Sequence, residues 1–437
     1  MMPMTDTASE PLNLNRLLKL FSGSFLIRIS YYLLGFINSV LLARFLGAEG
    51  YGTYVFVLSI VALLSVPTQF GMPLLVMREF ASLQAQEKWG YMKGLALRSH
   101  QFVAVVATVV CLCAAWWLWL NPGNYVTEKQ GALLLGLLLV PILSLGALRD
   151  AMLGGLRHII LGQLPESIIR PSLLMSGLLL AMFVVPVAAS ADNVIAFYIV
   201  CSLVAFVTGW LLFNRRKPHG VTTADAAFST RKWFSAVLPI GLTAGMQVLN
   251  MQLSIVFLEH YSSDVEVAYY RVATLMAGFV VIILQVSNTV VSPYVSRLYA
   301  QNDIRGIEAL VGKTNKLILL ATLPLVAGIV VVSPWLFATF YGPDFSAAYA
   351  PLLLLTAGQA VNALMGTVAL LLNMTGHQSD VTKAMTIALV VNIVLHILLI
   401  PLYGLEGAAF SSMAMLVIWN MLLWVSVKRR LGIKFYL

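Results

Sequence analysis

Between Lys19 and Arg44 the chain carries a single charged side chain, Arg28, in an apolar run long enough to cross a bilayer. Similar runs recur to the C-terminus, separated by charge clusters or by Gly, Pro and Asn. Surrounded by hydrocarbon, a stretch of about 20 apolar residues satisfies its own backbone hydrogen bonds only as a helix. The chain is therefore restricted to an all-α polytopic membrane fold. Composition agrees, with 60% hydrophobic and 10% charged residues, where soluble domains carry about 25% charged residues.

Twelve transmembrane helices are predicted, near 17–46, 51–77, 94–120, 131–154, 167–188, 192–214, 233–258, 266–296, 315–341, 347–374, 381–401 and 405–427. The longest hydrophilic break, 215–232, divides six from six. The predicted organisation is a cytosolic tail over 1–16, a six-helix N-lobe over 17–214, a cytosolic linker over 215–232, a six-helix C-lobe over 233–427 and a basic tail over 428–437. Weak self-similarity supports pseudo-symmetric lobes: RFLGAEGYGTYVFVLSIVALL, from Arg44, resembles FLEHYSSDVEVAYYRVATLMA, from Phe257, and a basic loop follows each. Lobes with an even number of spans are related by an axis along the membrane normal, with a site at their interface.

The formal net charge of +9 is concentrated at helix ends. Arg78, Lys88, Lys93 and Arg98, then Arg215, Arg216 and Lys217, then Lys428, Arg429 and Arg430 all fall on one side. In the loops of the other side Lys129 is the single base, among Glu49, Glu128, Asp192, Glu259 and Asp264. The positive-inside rule then makes both termini cytosolic. The basic balance reports topology, and no nucleic-acid partner is expected. The first 15 residues are polar, without a basic n-region, and read as a short cytosolic tail. Cys111, Cys113 and Cys201 lie in apolar spans without metal-type spacing and read as packing residues.

Five arginines remain inside predicted spans. Arg28 lies nine residues beyond Lys19, roughly 13 Å along a helix and close to the middle of a hydrocarbon core about 30 Å thick. A guanidinium there costs roughly 2.5 to 3.5 kcal/mol on insertion scales and usually faces a cavity, a partner or an anion. Arg271, in AYYRVATLMA, is the only charge between Glu266 and Arg297. Arg149 with Asp150, and Glu166 with Arg170 four residues on, read either as ion pairs near the cytosolic ends of their spans or as secondary anion contacts. Arg44, near an outer end, can reach headgroups with its long stem. Tyr32 follows Arg28 by one turn and Tyr270 precedes Arg271, adding hydroxyls suited to sugar or phosphate. Asn38, Gln247, Asn250, Gln252, Gln285, Asn288 and further amides within spans suggest a hydrophilic lumen. Arg28 on the wall of the first lobe is expected opposite Arg271 of the second.

Enzymatic motifs fail on inspection. GIEALVGKT, residues 306–314, is one residue too long for a phosphate loop and follows a membrane span. The Asn373-Met374-Thr375 sequon falls on the cytosolic side. No HExxH, CxxC or serine-nucleophile arrangement occurs in an aqueous segment, so neither a catalytic residue nor a metal or cofactor is expected.

The stretches LLARFLGAEGYGTYVFVLSIVALLSVPTQFGMPLLVMREFA at 41–81, FATFYGPDFSAAYAPLLLL at 337–355, and LLLNMTGHQSD with LLIPLYGLEGAAF within 370–410 resemble the polysaccharide transport family. These are the Wzx-type O-antigen flippases of the multidrug/oligosaccharidyl-lipid/polysaccharide (MOP) superfamily. The resemblance implies a two-lobed, MATE-like helical bundle working by alternating access. Its cargo would be an undecaprenyl-diphosphate-linked oligosaccharide of O-antigen, capsule or exopolysaccharide, moved from the cytosolic to the periplasmic leaflet of a bacterial inner membrane. A polysaccharide polymerase and a chain-length regulator are implied as partners, and the coupling ion, proton or sodium, stays open. A diphosphate calls for a cationic cavity, with Arg28 and Arg271 as first contacts and Arg44, Arg149, Arg170, Tyr32 and Tyr270 as further ones. Within the superfamily the alternatives are a lipid II flippase, which resembles this chain at Gly35, Phe36, Ala43, Arg44 and Gly47, and a MATE-type drug exporter. The lipid II pattern departs at Tyr32, Asn38 and Ser39, and an exporter would need a buried carboxylate. Outside transport, a membrane scaffold or scramblase-like protein is the alternative, in which Arg28 would matter for stability alone.

Overall fold

The computed structural model describes residues 14–121, 127–184 and 188–433. The expected tail 1–16 therefore lies largely outside the described residues, as do 122–126, 185–187 and the last four residues of the expected basic tail 428–437, whose Lys428, Arg429 and Arg430 are helical. All regular structure among the described residues is helical. In chain order it comprises α1 (Leu14–Gln69), α2 (Met72–Ala85), α3 (Trp89–Leu120), α4 (Thr127–Leu137), α5 (Leu139–Gly155) and α6 (Ile159–Leu164). A π-helical turn (Pro165–Ile169) leads into α7 (Arg170–Phe183), followed by α8 (Ala191–Arg216), a short α9 (His219–Thr223), α10 (Thr230–Tyr261), α11 (Asp264–Ala300) and α12 (Ile304–Leu336). A second π turn (Phe337–Tyr341) and a 3₁₀ turn (Pro343–Ala348) precede α13 (Tyr349–Met365), α14 (Val368–Met374) and α15 (Gln378–Leu431).

Ten segments among the described residues are long and apolar enough to cross a membrane. The difference from the twelve expected has a simple cause: two pairs of expected spans, 17–46 with 51–77 and 381–401 with 405–427, are joined end to end in α1 and α15. The apolar part of α1 is 44 residues long, about 66 Å if straight, twice the thickness of a hydrocarbon core. It breaks at Gly47, whose φ of 71° and ψ of 179° lie outside the helical region, in territory open essentially to glycine alone. Gly404, with φ 49° and ψ −123°, breaks α15 in the same way. Each long element is thus two helices meeting at a glycine.

The expected span 51–77 ends early. Phe70 and Gly71 take positive φ, and Met72–Ala85 starts a separate helix too short to span. Its Met72, Leu75, Val76 and Phe80 are buried against Leu148, Met152 and Leu153 of α5 and Trp233 of α10. The expected span 347–374 also divides, at Gly366 between α13 and α14. The expected linker 215–232 is docked on α3: Ala227 N–H donates to Gly90 O at 2.9 Å, and Lys93 Nζ donates to Ala224 O at 2.9 Å.

One apolar cluster spans both halves of the chain, including Tyr51, Phe56 and Val57 of α1 and Ala268, Val272 and Ala273 of α11. Gly52 permits the closest approach, because a Cβ there would overlap the carbonyl of Asp264. Outward-facing Leu112, Trp116, Trp119, Leu320, Val331 and Leu402 are exposed, as expected where the solvent is lipid rather than water.

Candidate functional site

α1 presents a polar and aromatic stripe. Tyr31, Tyr32, Gly35, Asn38, Ser39 and Leu42 recur with helical period, and after the break at Gly47 the stripe resumes at Tyr51, Tyr54, Leu58 and Ser59. All of them line one cavity of about 270 Å³. Its other walls are Glu166 on the π turn, Arg170, Pro171 and Leu174 of α7, Tyr198 of α8, Gln252 of α10, and Arg271 and Leu275 of α11. Because α1 folds back at Gly47, both its segments face the same space, and α10 and α11 close the opposite side.

The polar groups in this space are tied to one another. Arg170 Nη1 meets Glu166 Oε2 at 2.6 Å, and its guanidinium lies 5.4 Å from the centroid of the Tyr198 ring, a cation–π distance. Tyr198 packs edge-on against Tyr54, and Tyr54 stacks on Tyr51. The Tyr51 hydroxyl is 2.8 Å from Ser39 Oγ and interacts with the Arg271 guanidinium. Ser39 also accepts from the Tyr341 hydroxyl at 3.2 Å. Asn38 donates to Leu34 O and Pro171 O, both at 2.9 Å, and its buried Oδ1 accepts from no donor among the described residues. The chemistry on offer is two guanidiniums, one carboxylate and five tyrosines around a small, partly open space.

Of the residues singled out from sequence, Arg170, Glu166, Arg271 and Tyr32 line this cavity, with Asn38 and Gln252 of the amides but not Gln247, Asn250, Gln285 or Asn288. Arg28 does not: it is exposed, one turn from Tyr32 on the same face of α1, and its Nη1 donates to Gln285 Oε1 of α11 at 3.0 Å. The expected pairing of Arg28 opposite Arg271 is therefore replaced by Arg28 with Gln285. Arg44 caps a helix end, donating from Nε to Phe340 O at 2.8 Å and from Nη2 to Thr339 O at 2.7 Å. Those carbonyls belong to the π turn that ends α12, where intrahelical donors run out, and Arg44 itself is exposed. Arg149 is no edge anchor. It is 1% exposed, with Nη1 donating to Ala205 O at 3.3 Å and Phe206 O at 3.4 Å and Nη2 3.5 Å from Glu166 Oε1. Tyr270 points away from the cavity; its hydroxyl is 2.9 Å from Ser412 Oγ, in a buried chain continuing through Ser254 to His396 Nε2.

Tyr51, Tyr54 and Tyr198 were not singled out from sequence. Tyr51 and Tyr54 sit just past the break in α1, where tyrosine is ordinary interfacial composition. Their spacing with Leu58 on one helical face was the available signal. The pocket for Arg149 was legible as Ala205 and Gly209, a small-xxx-small pair that lets helices approach.

Known proteins bear on this architecture. The family described as Polysaccharide biosynthesis protein matches residues 17–299, and the MatE family matches 239–398. A "Probable low-salt glycan biosynthesis flippase Agl15" of Haloferax volcanii is 26% identical over 149 residues. The match covers 33% of this chain and 31% of that protein, so the chain spans about a third of the length of the curated relative. Among solved structures, "Lipid II flippase MurJ, inward closed conformation" superposes with a TM-score of 0.73 at 17% identity, covering 94% of this chain and 87% of that one. An inward-facing multidrug resistance MATE family transporter of the MOP superfamily gives a TM-score of 0.71 at 13% identity, covering 93% of this chain and 98% of that one. These likenesses establish the fold, and the family match covers more than half of the sequence. The chain belongs to the polysaccharide biosynthesis protein family and has the all-helical fold of MOP-superfamily membrane transporters.

Proposed function

We propose that the protein is a flippase that carries the headgroup of an undecaprenyl-diphosphate-linked oligosaccharide from the cytosolic to the periplasmic leaflet of a bacterial inner membrane. The observation that carries this reading is the placement of Arg170 and Arg271 in one cavity walled by five tyrosines. With Glu166 as the acidic lining residue, two guanidiniums and one carboxylate give the lining a formal charge of +1. Guanidinium forks match phosphate oxygens in pairs, and tyrosine faces and hydroxyls suit sugar rings that have one apolar and one polar side. The Haloferax relative, named as a probable glycan biosynthesis flippase, supports the same class of cargo.

The cavity of about 270 Å³ lies just below the usual ~300–1,000 Å³ of ligand pockets. It accommodates a diphosphate and its first sugar only if the helices part for the rest, which is what alternating access supplies. In this reading the breaks at Gly47 and Gly404 make twelve crossings, the lobes 17–214 and 233–427 rock about the linker 215–232, and both termini are cytosolic. Flipping breaks no covalent bond and so calls for no nucleophile or acid–base pair. A polymerase and a chain-length regulator act on the product.

The test is reconstitution in proteoliposomes with a fluorescent polyprenyl-diphosphate sugar, a phosphate-free analogue and a lipophilic cation. Transport of the diphosphate lipid alone is expected, with Arg170→Gln and Arg271→Gln each slowing it about tenfold or more, the value of a charged hydrogen bond. Movement of the cation with the diphosphate lipid left untouched would replace this reading by a drug exporter.

A further inference from the structure

A carboxylate is an unexpected wall for a cavity that attracts anions, since it repels the ligand that the arginines draw in. Yet the structure is built around Glu166. Arg170 Nη1 holds Oε2 at 2.6 Å, and Arg149 Nη2 stands 3.5 Å from Oε1. Arg149 does not line the cavity; it is buried behind it, and its Nε has no hydrogen-bond partner among the described residues. Gly146 leaves space for the carboxylate, because a Cβ there would come within 2.8 Å of Oε1. Gly209 does the same for Arg149, whose guanidinium a Cβ would overlap. Glu166 itself sits on the π turn Pro165–Ile169, a wide turn that is rare and concentrates at functional sites.

We propose that Glu166 is an internal stand-in for the substrate's phosphate: it holds Arg170 in the empty cavity, yields Arg170 to an entering phosphate and turns to Arg149 until the phosphate leaves. This rests on the flippase reading above. Arg170 and Glu166 share one short contact through a single nitrogen, whereas a diphosphate offers paired oxygens to the whole fork. Exchange therefore favours the ligand. It would leave a buried carboxylate uncompensated, which is strongly unfavourable, were Arg149 not adjacent with a weakly held Nη2 and an unused Nε. The number of close opposite charges is then the same before and after exchange. A carrier must bind well enough to load and weakly enough to release, and competition by Glu166 sets that balance. Glu166 is a positioning residue, acting on the substrate through Arg170.

The experiment titrates inorganic pyrophosphate into the purified full chain in nanodiscs by calorimetry, alongside transport in proteoliposomes. Glu166→Gln is expected to bind pyrophosphate about tenfold more tightly, as a charged hydrogen bond freed from competition, while turning over more slowly. The double variant Glu166→Gln/Arg170→Gln should bind no more tightly than Arg170→Gln alone. Equal or weaker affinity in folded Glu166→Gln overturns the inference. If that variant does not fold, Glu166→Asp withdraws the carboxylate by one methylene and should show an intermediate gain; unchanged affinity there overturns it equally. Wild-type binding that is lost in Arg170→Gln and Arg271→Gln but indifferent to Glu166 sinks this inference alone. Absence of pyrophosphate binding, or binding indifferent to both arginines, sinks the flippase reading with it.

Discussion

Lys129 and Glu259 are 130 residues apart in sequence, yet Lys129 Nζ meets Glu259 Oε1 at 2.6 Å and also reaches Asp264 Oδ1 at 2.8 Å. Asp264 accepts in addition from Thr53 Oγ1 at 3.3 Å, and the Lys129 ammonium lies 4.9 Å from the Phe56 ring centroid. One lysine thus clasps α1 and α4 to the facing ends of α10 and α11.

Replacing Lys129 by Gln leaves Glu259 and Asp264 without the cation between them. Exposed pairs are worth up to about 1 kcal/mol, and breaking a buried one costs about 3–5 kcal/mol. The Lys129 side chain is 12% exposed and its partners 13% and 19%, between those limits. A loss of roughly 1–3 kcal/mol is expected, shifting an open–closed equilibrium by about five- to 150-fold. The readout is labelling of Ser59→Cys, a cavity position, by an impermeant maleimide added from the Lys129 side, with Cys111, Cys113 and Cys201 changed to Ser. An unchanged labelling rate means that the clasp does not close this end.

The glycine breaks make a prediction about stability. At Gly47 a Cβ meets nothing within 4 Å, so Gly47→Ala tests backbone conformation alone, and about 1–3 kcal/mol of destabilisation is expected. Gly404→Ala carries a second penalty, because its Cβ would come within 2.9 Å of Glu266 Oε2. Gly312, inside α12 with open space around it, is the control, where Ala should stabilise by up to about 1 kcal/mol. Thermal unfolding in detergent ranks the three; equal melting points for Gly47→Ala and Gly312→Ala would show that α1 does not need its break.

What was legible in the sequence follows from which quantities are one-dimensional. Hydropathy is such a quantity, so the apolar segments were found, and charge or glycine marked both breaks. Whether α1 ended at Gln69 or Met77 was not legible, because Met72, Leu75 and Val76 are equally apolar whether they face lipid or, as here, the α5 surface. Azimuth on a helix is only partly legible. Tyr270 and Arg271 are adjacent and so point about 100° apart; here Arg271 lines the cavity while Tyr270 bonds Ser412, whereas the adjacent Tyr31 and Tyr32 both line it. Arg28 advertised itself by its cost, but it is exposed and donates to Gln285, a partner 257 residues away that no local pattern reveals.

This geometry orders the arginines. Arg271 and Arg170 line the cavity, whereas Arg28 lies one turn beyond Tyr32 and is tied to Gln285. Arg28→Gln should therefore reduce transport of a polyprenyl-diphosphate sugar by less than Arg271→Gln at equal membrane abundance. Complete loss in Arg28→Gln, with Arg271→Gln still active, would return Arg28 to the centre of the site.

The tightest packing around a charge is that of Gly209 against Arg149. A Cβ at 209 would overlap the guanidinium, and the side chain cannot retreat without losing its donations to Ala205 O and Phe206 O and its approach to Glu166. Gly209→Ala is therefore expected to destabilise by about 3 kcal/mol or more, the range for a disrupted buried charge. The mechanism is separable from generic helix crowding by a double-mutant cycle. Arg149→Met removes the guanidinium that collides, so Gly209→Ala should do far less harm in the Arg149→Met background than in the wild type, with a coupling of about 1–3 kcal/mol. Melting temperatures of the four proteins, measured in one detergent, give the coupling directly, and additive losses would mean that Gly209 is there for backbone packing and not for Arg149.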